Sequence, residues 1–385
     1  MQCSDDYPFM LVNIQALRFI AALLVVLYHA SAHLGVAGQA AGPLFAFGRA
    51  AGFAGVDIFF VISGFIMVWT TPESSGPADA WSFMRRRVAR IYSGYWPFYA
   101  IAIALFTWLG GTYLTGVSWL GSLFLWPTPL PDLLIPVSWT LIFEMVFYVL
   151  FAVLIAIAGR RRAWWLTGLL AAMLGWAAYT QFVRHAYDPG RLELMSIYEQ
   201  YLAFPYLLEF LAGALLAIRC LRRPGASSAW GWGLLLAGAA LFAAGGWLNE
   251  SGIAGRLIQG YFVNVRVAVF GSASLLIVAG LVRLEQAGVR FPPRLGIPAG
   301  GSSYALYLSH TLVLAATNHL GFDRWAGGLS PVVAQGAYVG LIGLIVGYSL
   351  LHHQVLERPL HRSFRRLLRV RAPASTPRDR RWVAG

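Results

Sequence analysis

Lysine is missing from this 385-residue chain, in which all 29 basic residues are arginine. Charge of either sign is scarce, at 12% of residues, and only 16 residues are acidic. That scarcity, with 58% hydrophobic residues and a mean hydropathy of +0.63, excludes an ordinary soluble domain. Cysteine is nearly absent as well. Cys3 and Cys220 supply neither a disulfide framework nor metal-ligand spacing. The chain has no G-x-S-x-G elbow of the serine hydrolases. It also lacks H-E-x-x-H, and the adjacent His352 and His353 project to different sides of a helix, so no metal site is expected. A cleavable signal peptide is not apparent, because the first apolar run is too long and no small-residue cleavage site precedes a soluble domain.

What is present is a succession of long apolar runs. Stretches of about 17 to 25 apolar residues are candidate membrane spans. Ten are expected, at roughly 14–33, 53–70, 91–110, 138–158, 163–181, 202–219, 229–248, 262–282, 302–320 and 332–351. The formal charge of +13 falls in arginine clusters between these runs, so it reads as membrane topology and not as a nucleic-acid surface. The clusters sit at Arg85 to Arg90, Arg160 to Arg162, Arg219 to Arg223, Arg283 to Arg294 and Arg358 to Arg371. They mark every second connection and put both termini in the cytoplasm. The expected fold class is therefore an all-α polytopic membrane protein of about ten transmembrane helices. One segment, "WLGSLFLWPTPLPDLLIP" from Trp119 to Pro136, is short and broken by four prolines. It is expected to be re-entrant or interfacial on the periplasmic side, with protein covering its backbone. Residues 1–368 form a single transmembrane domain in this reading, and 369–385 a basic, disordered cytoplasmic tail at the membrane surface.

Polar residues inside spans carry the functional signal. Arg18 and His29 are eleven residues apart in "LRFIAALLVVLYHA". At about 100° per residue they share one helix face, roughly 16 Å apart along the axis. A charge in hydrocarbon costs at least ~2.5 kcal/mol, so such a pair looks into a protein interior or a wet cavity. Asp57, Glu144 and His310 lie in three further spans. Bland roles exist for each: hydrogen-bonded packing for either histidine, a helix-start brace for Asp57, structural bracing for Glu144, snorkelling for Arg18. Taken together they suit general acid–base work, in which a histidine oriented by a carboxylate removes a proton from a hydroxyl. Arg87 and Arg90, three apart at the start of the third span, face the same way and can clamp phosphates bidentately; the alternative is a positive-inside anchor.

The ordered set of Arg18 and His29, "GVDIFFVISGF" with Asp57, Arg87-x-x-Arg90 before "IYSGYW", "SWTLIFEMVFY" with Glu144, "LEFLAGALLA", "SSYALYLSHTLVL" with His310 and "LERP" covers nearly the whole chain. It resembles the integral-membrane acyltransferase family 3, and within it the exopolysaccharide-modifying branch. The resemblance implies an inner-membrane O-acyltransferase with no bound cofactor. Such an enzyme uses cytoplasmic acyl-CoA, usually acetyl-CoA, as cosubstrate and acylates a hydroxyl of an exopolysaccharide or lipid-linked oligosaccharide. By the same resemblance His29, Glu144 and Asp57 are candidate catalytic residues. Arg18, Arg87, Arg90 and His310 are candidates for binding acyl-CoA or substrate. His29 would be oriented by Glu144 or Asp57. Expected partners are acyl-CoA, a carbohydrate acceptor and the bilayer, with no nucleic acid. Alternatives are succinyl transfer, acylation of a small molecule such as a macrolide, and, from another class, a proton-coupled transporter or glycolipid flippase. Ser93 stands where the family's "RIYP" has proline. No C-terminal esterase-like domain is seen, so activity is expected from the membrane part alone.

Overall fold

The computed structural model describes residues 10–368 apart from 189, 224–226 and 254. The tail expected at 369–385 and Cys3 lie outside the described residues. No strand occurs among the described residues. The helices are α1 (Val12–Val36), α2 (Pro43–Ala51), α3 (Gly55–Trp69), α4 (Pro77–Trp108), α5 (Trp119–Phe124), α6 (Trp139–Ala158), α7 (Arg162–Phe182), α8 (Ile197–Leu202), α9 (Tyr206–Arg222), α10 (Ser228–Ser251), α11 (Val263–Arg266), α12 (Ser272–Gln286), α13 (Pro293–His319), α14 (Phe322–Gly327), α15 (Pro331–His352) and α16 (Arg358–Leu367). A π-helical turn at Val267–Gly271 joins α11 to α12, and another at His353–Glu357 joins α15 to α16.

Among the described residues, seven stretches are long and apolar enough to cross a membrane: Val12–Val36, Pro43–Trp69, Pro136–Ala158, Ile197–Arg222, Ser228–Ser251, Gly260–Gln286 and Pro331–Leu367. They coincide with seven of the ten expected runs. The other three fall on α4, α7 and α13, helices of 32, 21 and 27 residues. At 1.5 Å per residue these are long enough to cross. Arginines dilute the apolar character of α4, tryptophan, tyrosine and threonine that of α7, and glycine, serine and histidine that of α13.

Trp119 to Pro136 forms no continuous helix. α5 ends at Leu125, whose φ of 52° turns the chain, and 3-10 turns at Leu130–Asp132 and Pro136–Ser138 lead into α6. The carbonyls that α5 leaves open are met by one face of α4. Tyr99 Oη donates to Trp119 O (3.2 Å), Tyr95 Oη to Ser122 O (2.8 Å), Trp96 Nε1 to Leu123 O (3.1 Å) and Tyr92 Oη to Phe124 O (2.7 Å). The aromatic-rich stretch after Arg90 thus satisfies a broken backbone that lipid could not.

Two devices set the helices that bear the site. The open N–H groups at the start of α1 are normally capped by a local side chain. Here they are met from across the bundle: Val12 N and Asn13 N donate to the buried carboxylate of Glu285 on α12, at 2.7 and 2.8 Å. Asn13 adds bonds to Leu281 O, Val289 O and Phe291 N, so the register of Arg18 and His29 is tied to α12 and the loop after it. Between α3 and α9 the backbones touch through facing glycines. A Cβ on Gly64 would lie 1.9 Å from Phe210 O, and one on Gly213 would lie 2.1 Å from Val61 O. Close approach of this kind is how membrane helices gain packing without a hydrophobic drive.

Candidate active site

A cavity of about 150 Å³ opens between α1, α3, α4, α6 and α13. Arg18, Arg87, Arg90 and Glu144 all line it, with Ser63, Tyr148, Tyr304 and Tyr307. The arginines of α4 therefore share one chamber with the carboxylate of α6. Arg18 and Arg87 keep most of their donors unspent. Arg18 Nη1 reaches Gln15 Oε1 at 3.3 Å, and Arg87 Nη2 reaches Thr70 Oγ1 at 3.1 Å. The Arg87 guanidinium also lies over the rings of Phe83 and Tyr148, at 5.2 and 5.5 Å, which fixes its plane.

Arg90 is held differently. Its Nη1 donates to Glu357 Oε1 at 2.5 Å, and its guanidinium lies 5.4 Å from the centre of the Tyr304 ring. Glu357 in turn accepts from His353 Nδ1 at 2.9 Å, and His353 Nε2 accepts from Arg358 Nε at 3.2 Å. The "LERP" stretch is thus the anchor of Arg90. Sequence reasoning reads Glu357 only as part of "LERP" and gives it no role, because it sits beside an arginine-rich terminus; the π turn there aims it inward.

Glu144 Oε1 accepts from Tyr148 Oη at 2.5 Å and Ser63 Oγ at 3.3 Å. Asp57 stands apart from the cavity, fully buried and paired with Arg266, whose Nε and Nη2 approach it at 3.1 and 2.7 Å. Phe53 and Tyr206 cover the Arg266 guanidinium at 4.9 and 5.1 Å, and Glu209 is buried against the same group. Arg266 is a second residue that sequence reasoning misses; it lies inside the run 262–282, where a lone charge is itself the signal.

His29 and His310 do not line the cavity; they face each other with ring centres 5.1 Å apart. His310 is completely buried, its Nδ1 donates to Leu306 O at 3.3 Å, and its Nε2 has no hydrogen-bond partner among the described residues. That bond fixes Nε2 as the acceptor nitrogen. Tyr307 connects the two parts: it lines the cavity, bonds Thr140 Oγ1 and Val137 O at 3.1 Å, and stands 5.9 Å from the His310 ring. Orientation of His29 by Glu144 or Asp57 is not what the fold provides. Those carboxylates are committed to Tyr148 with Ser63, and to Arg266. The partner the bundle gives His29 is His310.

A chamber lined by three guanidiniums and one carboxylate, leading through a tyrosine to a histidine pair, suits an anionic ligand whose reactive end meets a base. A family model for the acyltransferase domain of type 3 matches residues 11–352. The chain belongs to the acyltransferase 3 family. It is 32% identical over 324 residues to the exopolysaccharide production protein ExoZ of Rhizobium meliloti, covering 81% of this chain and 90% of that protein. It is 26% identical over 394 residues to the acyltransferase MdmB of Streptomyces mycarofaciens, covering 96% and 95% of the two. No solved structure matches it. This acyltransferase is a multi-pass helical protein whose apolar helices suit a membrane.

Proposed function

We propose that this acyltransferase moves an acetyl group from cytoplasmic acetyl-CoA to a hydroxyl of an exopolysaccharide or lipid-linked oligosaccharide, in the inner membrane. The proposed topology is ten spans with both termini cytoplasmic. The observation that carries the reading is the shared chamber of Arg18, Arg87, Arg90 and Glu144, with His29 and His310 behind Tyr307. Arg87 and Arg18 offer free donors to the donor's phosphates, and Arg90 holds the wall through Glu357. At about 150 Å³ the chamber is smaller than the ~300 Å³ lower bound for a drug-sized ligand. It suits the thioester-bearing arm, with the phosphates at its arginine-lined mouth and the adenosine outside.

In this mechanism His29 takes the proton of the acceptor hydroxyl, whose oxygen attacks the thioester carbonyl; the carbon–oxygen bond forms and the carbon–sulfur bond breaks. His310 and Tyr307 position the histidine, Glu144 holds the polar wall, and Asp57 braces α3 against α11 and takes no part in the chemistry. The carbohydrate acceptor rests on the printed role of the ExoZ relative. The test is transfer of label from acetyl-labelled acetyl-CoA to polysaccharide or glycolipid in membrane vesicles. Wild-type label that is lost in His29→Ala and reduced in Arg87→Ala, at equal protein level, is the expected result. Full labelling by His29→Ala would sink the mechanism.

A further inference from the structure

One turn beyond His29 on α1 lies His33, a residue to which neither the motifs nor the chamber assigns a role. Its Nδ1 stands 2.7 Å from Asp323 Oδ2, and Tyr338 Oη donates to Asp323 Oδ1 at 2.7 Å. Asp323 is 5% exposed and His33 is 25% exposed, so the carboxylate is sealed and the imidazole is open at one edge. The helix that carries Asp323, α14, is fastened over the end of α1 by Gln39 Nε2, which donates to Ala326 O, Gly327 O and Leu329 O.

The tautomer follows from the partner. A carboxylate accepts, so Nδ1 of neutral His33 carries the proton and Nε2 is left as an acceptor. The three histidines gathered here then differ in one respect. His29 and His310 have each other and a backbone carbonyl but no carboxylate, whereas an imidazolium at His33 is paired at once with Asp323. Residues four apart on a helix are neighbours, with Cβ atoms about 6 Å apart, within range of transfer through one water. We propose that His33, held by Asp323 and Tyr338, is a proton relay that clears His29 during acyl transfer; this rests on the acyl-transfer reading above. The hydroxyl proton passes from His29 to His33 Nε2 and then to water at the exposed edge. The departing thiolate takes a proton from water on its own side, so one proton is released and one taken up per turnover.

The test uses the full-length protein in vesicles with labelled acetyl-CoA. His33→Gln and Asp323→Asn lower kcat about 10–100-fold with KM for acetyl-CoA unchanged. Asp323→Glu recovers most of the rate, and His33→Ala regains activity on addition of imidazole. A merely structural His33 would not give imidazole rescue. Wild-type kcat in His33→Gln, or a loss in His33→Ala that imidazole leaves untouched, overturns the relay. His29→Ala is measured alongside. Activity that depends on His29 but ignores His33 and Asp323 overturns the relay alone, whereas activity that ignores His29 overturns the acyl-transfer mechanism with it.

Discussion

Arg266 and Arg87 both project into the interior of the bundle, but the first commits its guanidinium to protein and the second keeps most of it for the chamber. Arg266 forks onto Asp57, reaches Phe53 O at 3.4 Å and is covered by two aromatic rings. Arg87 makes one hydrogen bond, to Thr70, and lines the cavity. The cost of removing a guanidinium from water is met in the first case by a buried carboxylate and in the second by leaving a polar, partly wet surface around it. A buried charge of the first kind holds helices together, and one of the second kind holds a ligand. The contrast yields a rule for separating their variants: closed pairs change protein level, open ones change kinetics.

The largest expected effect is on the closed pair. Arg266→Leu leaves Asp57 ionised or forces it to take a proton, with Glu209 beside it and no cation between them. Breaking a buried pair of this kind costs about 3–5 kcal/mol. The variant should show a collapse of steady-state level and of the unfolding midpoint in detergent. Replacing both partners, as in Arg266→Leu with Asp57→Leu, should recover part of that loss. A normal level for Arg266→Leu, with acyl transfer abolished, would move Arg266 from architecture to chemistry and break the contrast.

At the chamber the sign reverses. Arg87→Gln keeps length and removes charge, so its protein level should match wild type while KM for acetyl-CoA rises about tenfold to a hundredfold, as a lost charged hydrogen bond of ~1.5–3 kcal/mol requires. Arg90→Gln should do both, because Arg90 lines the chamber and also closes Glu357. Titrating acetyl-CoA against the two variants measures the split. An Arg87→Gln protein with unchanged KM and a lowered level would show that Arg87 belongs with Arg266.

How much of this was legible in the chain before folding depends on distance along it. Arg18 and His29 share a face because helical periodicity is local, and both face the interior side of α1. The four prolines after Trp119 likewise announce a break that the structure shows, since proline acts on its own neighbours. Glu357 is hidden because a loop-charge rule absorbs its arginine-rich neighbourhood, and Arg266 because a lone charge in an apolar run does not name its partner; each sits at a π turn. The partners themselves had no local signal: Asp323 is 290 residues from His33, and Glu357 is 267 from Arg90. Only the packing of α1 on α14 and of α16 on α4 brings them together.

Glu144 lies on the border between the two classes and sharpens the comparison most finely. It lines the chamber, but its Oε1 is held by Tyr148 at 2.5 Å and by Ser63 at 3.3 Å. Tyr148→Phe removes one hydroxyl and leaves the ring beneath Arg87, so packing and the cation–π contact both survive. If Glu144 serves the chamber, the freed carboxylate turns toward the cavity arginines, and the change should appear as a few-fold fall in kcat, on the order of 1 kcal/mol, with the unfolding midpoint unmoved. If Glu144 serves the fold, the same ~1 kcal/mol should appear in the midpoint, with kcat unmoved. Kinetics and thermal unfolding on one preparation of Tyr148→Phe therefore assign Glu144 to one side, because the hydroxyl it loses is the smallest group that the two readings use differently.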